Sequence, residues 1–298
     1  MNLFSPSLAA EIHEVRIAEQ AEQLQRDGYL IMRGAADPSL IGGLDDVTRQ
    51  RFEKTPFSKG NFYGEFTKRF GQVLTRAPRS AELVQHEEIM AIVRRVLIRD
   101  HGEIQLNLTQ ALEMHPGSLS QVPHRDDSIW DCAKAAEFSI NVMWPFTEYT
   151  RANGATNLWP GSNHHEEVLL PDEESVDIEM EPGDALLYVG SVLHRGGHNS
   201  SRMIRRGMIV GYCLGWLKPY ENQWLAYPPA VARNFSPALA KLVGYRQDQP
   251  NLNNYDGQCP SLLLRGRVPD FLGAIDELRP DQVEMIEDYR AGKLSPVA

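Results

Sequence analysis

The chain has 298 residues, of which 42% are hydrophobic and 23% are charged. This composition is typical of a folded globular protein that is long enough to bury a large core. The formal net charge is −10, from 30 Lys and Arg against 40 Asp and Glu, and no concentrated basic surface is evident, so we expect no nucleic-acid partner. No stretch approaches the roughly 20 apolar residues of a membrane-spanning helix, so we expect no membrane partner.

Cysteine usage indicates a cytoplasmic location. The chain contains Cys132, Cys213 and Cys259, an odd number at wide spacing and without a CxxC motif. Reduced thiols in a cytoplasm are the simplest interpretation of this pattern. The N-terminal stretch MNLFSPSLAAEIHEVRI has no basic segment followed by an apolar one, and it therefore predicts no signal peptide.

The first hundred residues are rich in helical patterns. Residues 8–27 contain many good helix formers, and Gly28 follows them as a typical helix stop. A second helix is expected after Asp37, which is an N-cap candidate with Pro38 at the first helical position. The other elements expected here are a strand at 28–34, a loop at 56–79 and a helix at 83–99.

From about residue 103 the sequence has the pattern of short strands. EIQLNLTQALEMH alternates in polarity and is followed by a Pro-Gly turn. The next strand, in AEFSINVMWPF, has an apolar face formed by Phe138, Ile140, Val142, Trp144 and Phe146. More strands are expected in EEVLL, VDIEM, ALLYVG, VLHRG and MIVGYCLGWL. We therefore predict a mainly β fold, a sandwich or barrel.

The elements suggest one domain whose flanks pack on a β core. Helix-like pieces at 235–244 and 280–291 follow the last strand. The expected organisation is a single catalytic domain, 1–298, with an α-rich flank and lid loop at 1–102, a core at 103–218 and a C-terminal extension at 219–298.

His124-x-Asp126, in the stretch PHRDDSIW, is a candidate for part of a metal site. In a strand, residues i and i+2 point to the same side, so these two side chains would project together. A third ligand must come from elsewhere. His194 is favoured because it ends an apolar strand before a glycine turn, whereas His164 and His165 follow a turn and are expected to be solvated.

Two histidines and one carboxylate with open positions opposite form the facial triad of non-haem Fe(II) oxygenases. Nitrogen and oxygen ligands without thiolate fit iron or manganese better than structural zinc. The alternative is that the HxD pair is only a polar turn after a proline, and that His194 is a surface or capping histidine.

Arg205, eleven residues after His194, is a candidate for binding an anion near the metal site. Arg205 begins the strand that runs back from the glycine turn. A guanidinium inside a barrel needs an anionic partner, because an unpaired buried charge is costly, and a carboxylate is its natural one. Because side chains alternate along a strand, only one of Arg205 and Arg206 can point inward. The alternative is that the arginine is an exposed charge at a strand edge and has no part in the site.

These segments resemble the phytanoyl-CoA dioxygenase family. The motifs are LQRDGYLIMRGAADPSLI (24–41), HRD (124–126), NGATNLWPGSNH (153–164), MEPGDALLYVGSVLHRGGHN (180–199) and the arginine at 205. QVPHRDD together with NFYGEFTKR is most similar to the branch that oxidises terpenoid and alkaloid natural products. The resemblance implies a double-stranded β-helix, or jelly roll, with flanking helices.

Matched residue by residue, the resemblance implies that His124, Asp126 and His194 bind Fe(II). The residues that it implies for the cosubstrate 2-oxoglutarate are Arg205, which would hold the distal carboxylate, Thr156 and Gln121. Two positions depart from the family pattern. Trp159 stands where a smaller aliphatic residue is usual and would narrow the pocket, and His198 is a second histidine near the site.

The implied activity is an Fe(II)- and 2-oxoglutarate-dependent dioxygenase that consumes O2 and releases succinate and CO2. Hydroxylation is favoured over halogenation, because halogenation needs a small residue in place of Asp126. The expected substrate contacts are Phe62, Tyr63, Phe66, Lys68, Arg69 and Trp216. As a set they suggest an apolar, medium-sized small molecule.

Two further expectations stay open at this point. The alternative function is a cupin-like, metal-dependent isomerase or a small-molecule-binding barrel without oxygen chemistry, which would keep the three metal ligands but need neither Arg205 nor Thr156. The hydrophobic pieces of the C-terminal extension suggest a homodimer.

Overall fold

The computed structural model describes residues 6–98, 102–132 and 136–294, and in them two antiparallel sheets form the core. The larger sheet has the strand order β1 (Tyr29–Met32), β7 (Ala185–Val189), β4 (Ser139–Pro145), β9 (Arg205–Leu214), β3 (Ile104–Met114) and β2 (Thr67–Phe70). The smaller sheet has the order β6 (Val176–Ile178), β5 (Thr156–Leu158) and β8 (His194–Gly196). The predicted mainly β fold is confirmed.

Helices cover the outer face of the larger sheet. α1 (Pro6–Asp27) packs against α5 (Glu87–Leu97), and α5 in turn contacts β4 and β9. The Trp144 ring lies 5.9 Å from the ring of His86, and the Tyr212 hydroxyl donates a hydrogen bond to the carbonyl of Val84. The face of β4 that was predicted to be apolar therefore points to the helices, and its other face points between the sheets.

The first helix ends and the second helix begins where their sequence signals predict. Gly28 follows α1 with φ of +80°. The side chain of Asp37 accepts a hydrogen bond of 2.7 Å from the backbone N–H of Ser39 and so caps α2 (Pro38–Phe52). Such a cap satisfies a backbone donor that has no partner within the helix.

Two expectations about elements were wrong. The predicted loop at 56–79 contains β2 and α3 (Val73–Arg76), because the cationic stretch TKRF pairs in full with the edge of β3. EEVLL forms no strand, and both Val168 and Leu169 are exposed.

The predicted helix at 83–99 is two helices over 83–98, and residue 99 lies outside the described residues. α4 (Ser80–Val84) ends before His86, whose side chain accepts from the backbone N–H of Ile89 at the start of α5.

The C-terminal extension contains short helices. They are α6 (Gln223–Ala226), α7 (Pro229–Ala232), α8 (Pro237–Leu242) and α9 (Pro280–Arg290). α9 has no buried residue. Among the described helices, none has the length and apolar character that crossing a bilayer requires.

Gly28 lies where the end of α1 meets the segment before β8. A Cβ atom at this position would lie 2.6 Å from Cγ2 of Val192 and 2.8 Å from Oδ1 of Asn163. We expect Gly28→Ala to lower the free energy of unfolding by about 2–4 kcal/mol, because overpacking adds to the strain of a positive φ. Urea denaturation measures the loss.

Gly34→Ala is the matched control. Gly34 has φ of +61°, but nothing lies within 4 Å of its added Cβ. This variant should lose only the backbone term, roughly 1–2 kcal/mol. An equal decrease in the free energy of unfolding in the two variants would show that the contact of the added Cβ with Val192 does not affect stability.

Candidate metal centre and cosubstrate pocket

Three side chains converge between the two sheets. The backbones of His124 and His194 form an antiparallel bridge, with N–O distances of 2.9 and 3.0 Å. Nε2 of His124 lies 3.6 Å from Oδ1 of Asp126, and Nε2 of His194 lies 3.4 Å from Oδ2. One ligand atom from each residue lies within 4.8 Å of the others. The three side chains singled out in the sequence are therefore adjacent.

Backbone carbonyls orient both imidazole rings. Nδ1 of His124 lies 2.9 Å from the carbonyl oxygen of Val122, and Nδ1 of His194 lies 3.1 Å from that of Val192. Because a carbonyl can only accept, each Nδ1 carries a hydrogen, and in the neutral form of each ring Nε2 keeps its lone pair. This is the tautomer in which histidines bind metals through Nε2.

The charges of the three residues are strongly coupled. Burial and the neighbouring His194 lower the pKa of His124 to about 4. Burial also acts to lower the pKa of His194, but the charge of Asp126 and its hydrogen bond raise it above the usual value. Burial acts to raise the pKa of Asp126, yet His194, His124 and Arg69 bring it below its usual value. Without a metal, the site therefore keeps His124 neutral and favours a proton on His194.

Arg205 is buried in the same cavity and has no acidic partner among residues 6–98, 102–132 and 136–294. It is 3% exposed, and its guanidinium stacks 4.4 Å from the centroid of the Tyr149 ring. Nη1 donates to the carbonyl of Gly154, but in the described chain Nε has no hydrogen-bond partner. Burial lowers the pKa of Arg205, and among the described residues only Tyr149 acts to raise it. A buried cation of this kind fits a carboxylate ligand.

The neighbouring Arg206 points to the other face of β9. Its Nε lies 2.6 Å from Oδ1 of Asp45, with which it forms a bidentate ion pair. The alternation along β9 thus turns Arg205 inward and Arg206 outward.

The cavity has a volume of about 870 Å³ including its open mouth. Thr156 and Gln121 both line it, together with the three candidate ligands and Arg205. Oε1 of Gln121 accepts from the backbone N–H of Gly196 at 2.9 Å, and its Nε2 donates to the carbonyl of Phe62 at 3.3 Å. All six residues that the resemblance implies for iron and 2-oxoglutarate therefore surround one space.

The six expected substrate contacts divide into two groups. Phe62, Tyr63 and Arg69 line the cavity. Lys68 lies on the opposite side of β2, where its Nζ donates to the carbonyl of Phe52. The two others lie outside the lining and are half exposed, Phe66 at 51% and Trp216 at 58%.

Several lining residues were not singled out from the sequence. Asn141 and Met143 lie on the cavity side of β4, and the ring of Tyr188 stacks 4.7 Å from that of His194. Asn141 had a detectable signal, because it is an amide between Ile140 and Val142 in an otherwise apolar strand. Tyr188 had none, because a tyrosine in a buried strand is ordinary.

The two departures from the family pattern lie away from the cavity. Trp159 does not narrow it: the indole is buried, donates to the carbonyl of Pro171 and packs under Arg195. His198 is exposed, and its Nδ1 lies 2.7 Å from the carbonyl of Ser118.

The chain is similar to known proteins. Residues 24–207 match the family model "Phytanoyl-CoA dioxygenase (PhyH)". "Dioxygenase olcK" of Penicillium canescens is 32% identical over an alignment of 305 positions, and the alignment covers 95% of this chain and 99% of the relative. "Dioxygenase trt7" of Aspergillus terreus is 27% identical over 240 residues, or 76% of this chain and 84% of the relative.

A solved structure has a similar fold. The epimerase SnoN, in complex with Fe3+, alpha ketoglutarate and nogalamycin RO, superimposes with a TM-score of 0.57 at 17% identity. The likeness covers 68% of this chain and 85% of SnoN. It confirms the predicted jelly roll.

Asp126→Asn should lower the pKa of His194 in chelator-treated protein. The attraction of the carboxylate raises this pKa, and without it burial acts nearly unopposed. An NMR pH titration of the imidazole resonances measures the change. A His194 titration curve that does not move would contradict the electrostatic coupling described above.

Proposed function

The chain belongs to the phytanoyl-CoA dioxygenase family. From that premise we propose that it is an Fe(II)- and 2-oxoglutarate-dependent dioxygenase that oxidises an apolar natural product by hydroxylation. The observation that carries the proposal is one cavity that contains both a His–Asp–His cluster and a buried arginine whose Nε has no hydrogen-bond partner in the described part of the chain.

His124, Asp126 and His194 hold the metal in this proposal. Their donor set is that of a facial triad, which leaves three coordination positions for other ligands. Fe(II) held by these residues would supply the oxidation, in which one atom of O2 ends in succinate, formed with CO2 from 2-oxoglutarate, and the other atom ends in the substrate. The protein holds the imidazole rings of the two histidines in a fixed orientation through the carbonyls of Val122 and Val192.

Two arginines that line the cavity, the buried Arg205 and the half-buried Arg69, match the two carboxylates of 2-oxoglutarate. We assign the distal carboxylate to Arg205, with Thr156 as a hydrogen-bonding neighbour. Arg69 is the second arginine: its Nη1 donates to Gln110 at 2.9 Å, and its Nε has no partner among the described residues. Its charge acts on Asp126, so it suits the carboxylate nearer the metal, a role different from the substrate contact expected from the sequence.

Gln121 is compatible with a cosubstrate contact as well. Its amide nitrogen has two hydrogens, of which one is donated to the carbonyl of Phe62. The second hydrogen is free to meet a carboxylate oxygen in the same cavity.

The substrate side of the cavity favours an apolar molecule of medium size. Its wall includes Leu112, Met114, Met143, Ile129 and Ile209. At the mouth the hydroxyl of Tyr63 contacts that of Tyr220, and the edge of the Phe62 ring packs 4.8 Å from the ring of His124. These side chains keep water from the reacting centre.

The wider setting is also part of the proposal. We propose one catalytic domain, 1–298, with the boundaries expected from the sequence, and a cytoplasmic location, which the free thiols of Cys132, Cys213 and Cys259 support. We also propose a homodimer, because the C-terminal extension exposes large apolar side chains. They are Phe271, Ile275, Met285 and Tyr289.

His124→Ala or Asp126→Ala should abolish O2-dependent formation of succinate from 2-oxoglutarate, because each change removes a metal ligand. The assay measures succinate release from Fe(II)-loaded protein, stimulated by lipophilic candidate substrates. His198→Ala is the control and should keep full activity, since His198 is exposed and outside the cavity. Near-normal turnover in either triad variant would refute the metal assignment, and O2-independent chemistry would favour the isomerase.

Arg205→Ala should raise the KM for 2-oxoglutarate far more than Arg206→Ala. Loss of a desolvated bidentate contact costs on the order of 2–5 kcal/mol of binding free energy, whereas Arg206 bonds Asp45 outside the cavity. Steady-state kinetics with varied 2-oxoglutarate measures both. Equal effects of the two substitutions would show that Arg205 does not hold the cosubstrate.

A further inference from the structure

Asn141 bonds directly to the carboxylate of the candidate triad. It lies in the middle of β4, is 2% exposed and faces the cavity. Its Nδ2 lies 2.7 Å from Oδ2 of Asp126. An ionised carboxylate can only accept hydrogen bonds, so the amide nitrogen must face it and the amide oxygen must face away.

The buried amide of Asn141 is energetically unfavourable on one side. Oδ1 of Asn141 is buried and, within the described residues, has no hydrogen-bond partner. An unsatisfied buried acceptor is unfavourable, and a leucine of similar shape would avoid it. A requirement for the bond between Nδ2 and Asp126 explains why an amide is present in an apolar strand.

Gly211 makes room for the amide. It is paired with Asn141 across β4 and β9. A Cβ atom on Gly211 would lie 2.7 Å from Oδ1 of Asn141 and 2.7 Å from Cδ2 of Leu108. Real Cβ atoms do not approach so closely, so a larger residue at 211 would displace the asparagine.

We propose that Asn141 is a positioning residue that fixes the orientation of the Asp126 carboxylate for metal binding, and that Gly211 provides the space for it. The two histidine ligands are each held by a backbone carbonyl, whereas Asp126 begins the 3-10 helix Asp126–Ile129 with a side chain that is 32% exposed. Free rotation of that carboxylate would lower metal affinity, and the amide restricts it. The inference rests on the proposed metal centre.

The test is a calorimetric titration of metal-free protein with Mn(II), a redox-stable substitute for Fe(II). Asn141→Leu should weaken Mn(II) binding by about 10–100-fold, the usual effect of losing a bond to a metal ligand. Asn157→Leu is the matched control: Asn157 is a buried asparagine whose Nδ2 also bonds a carboxylate, that of Asp177. It should bind Mn(II) as the native protein does.

Gly211→Ala supplies an independent second variant. It should weaken Mn(II) binding as well, and in the Asn141→Leu background it should add no further loss, because both substitutions act through the same amide. Circular dichroism verifies that each variant is folded. If Asn141→Leu does not fold, Asn141→Ala takes its place and should show the same weakening.

The outcomes separate the inference from the function on which it rests. If the native protein does not bind Mn(II), the proposed metal centre itself fails. If the native protein binds Mn(II) and folded Asn141 variants bind it equally well, only the role of Asn141 is overturned. A loss as large in Asn157→Leu as in Asn141→Leu would also overturn it, because the effect would then be general destabilisation.

Discussion

The backbone bridge between His124 and His194 is the constraint on which the site depends. Two reciprocal hydrogen bonds fix these residues opposite each other, although they are far apart in the sequence. Each ring is then oriented by a carbonyl of its own segment, and the acid two residues after His124 completes the group. The chemistry of the cluster is therefore set by β pairing, which the surrounding core stabilises.

The cavity combines a negative group and positive groups that do not neutralise each other directly. Asp126 is engaged by the imidazoles and by Asn141. Arg205 is buried and Arg69 is half-buried, and among the described residues the Nε atom of each has no hydrogen-bond partner. Since buried cations are costly without an anion, the folded protein is prepared for a small dianion. The same reasoning explains why Arg206, with its carboxylate partner Asp45, contributes to structure instead.

Local signals were sufficient to predict much of this arrangement. The three metal ligands could be predicted from two local features, which are the i, i+2 spacing of His124 and Asp126 and the position of His194 at the end of a strand. β2 was missed, because a strand with two adjacent cations is stabilised by pairing and by partners elsewhere, such as Gln110. The bond of Asn141 to Asp126 was missed too, because it joins separate segments and no local pattern encodes it.

The contact between Tyr63 and Tyr220 joins two parts of the chain at the mouth of the cavity. Tyr63 belongs to the segment before β2, and Tyr220 to the segment after β9. Both segments lie outside the paired strands that hold the ligands. Substitutions in these two segments can therefore change which molecules the cavity admits, while the paired strands that position the candidate ligands stay the same.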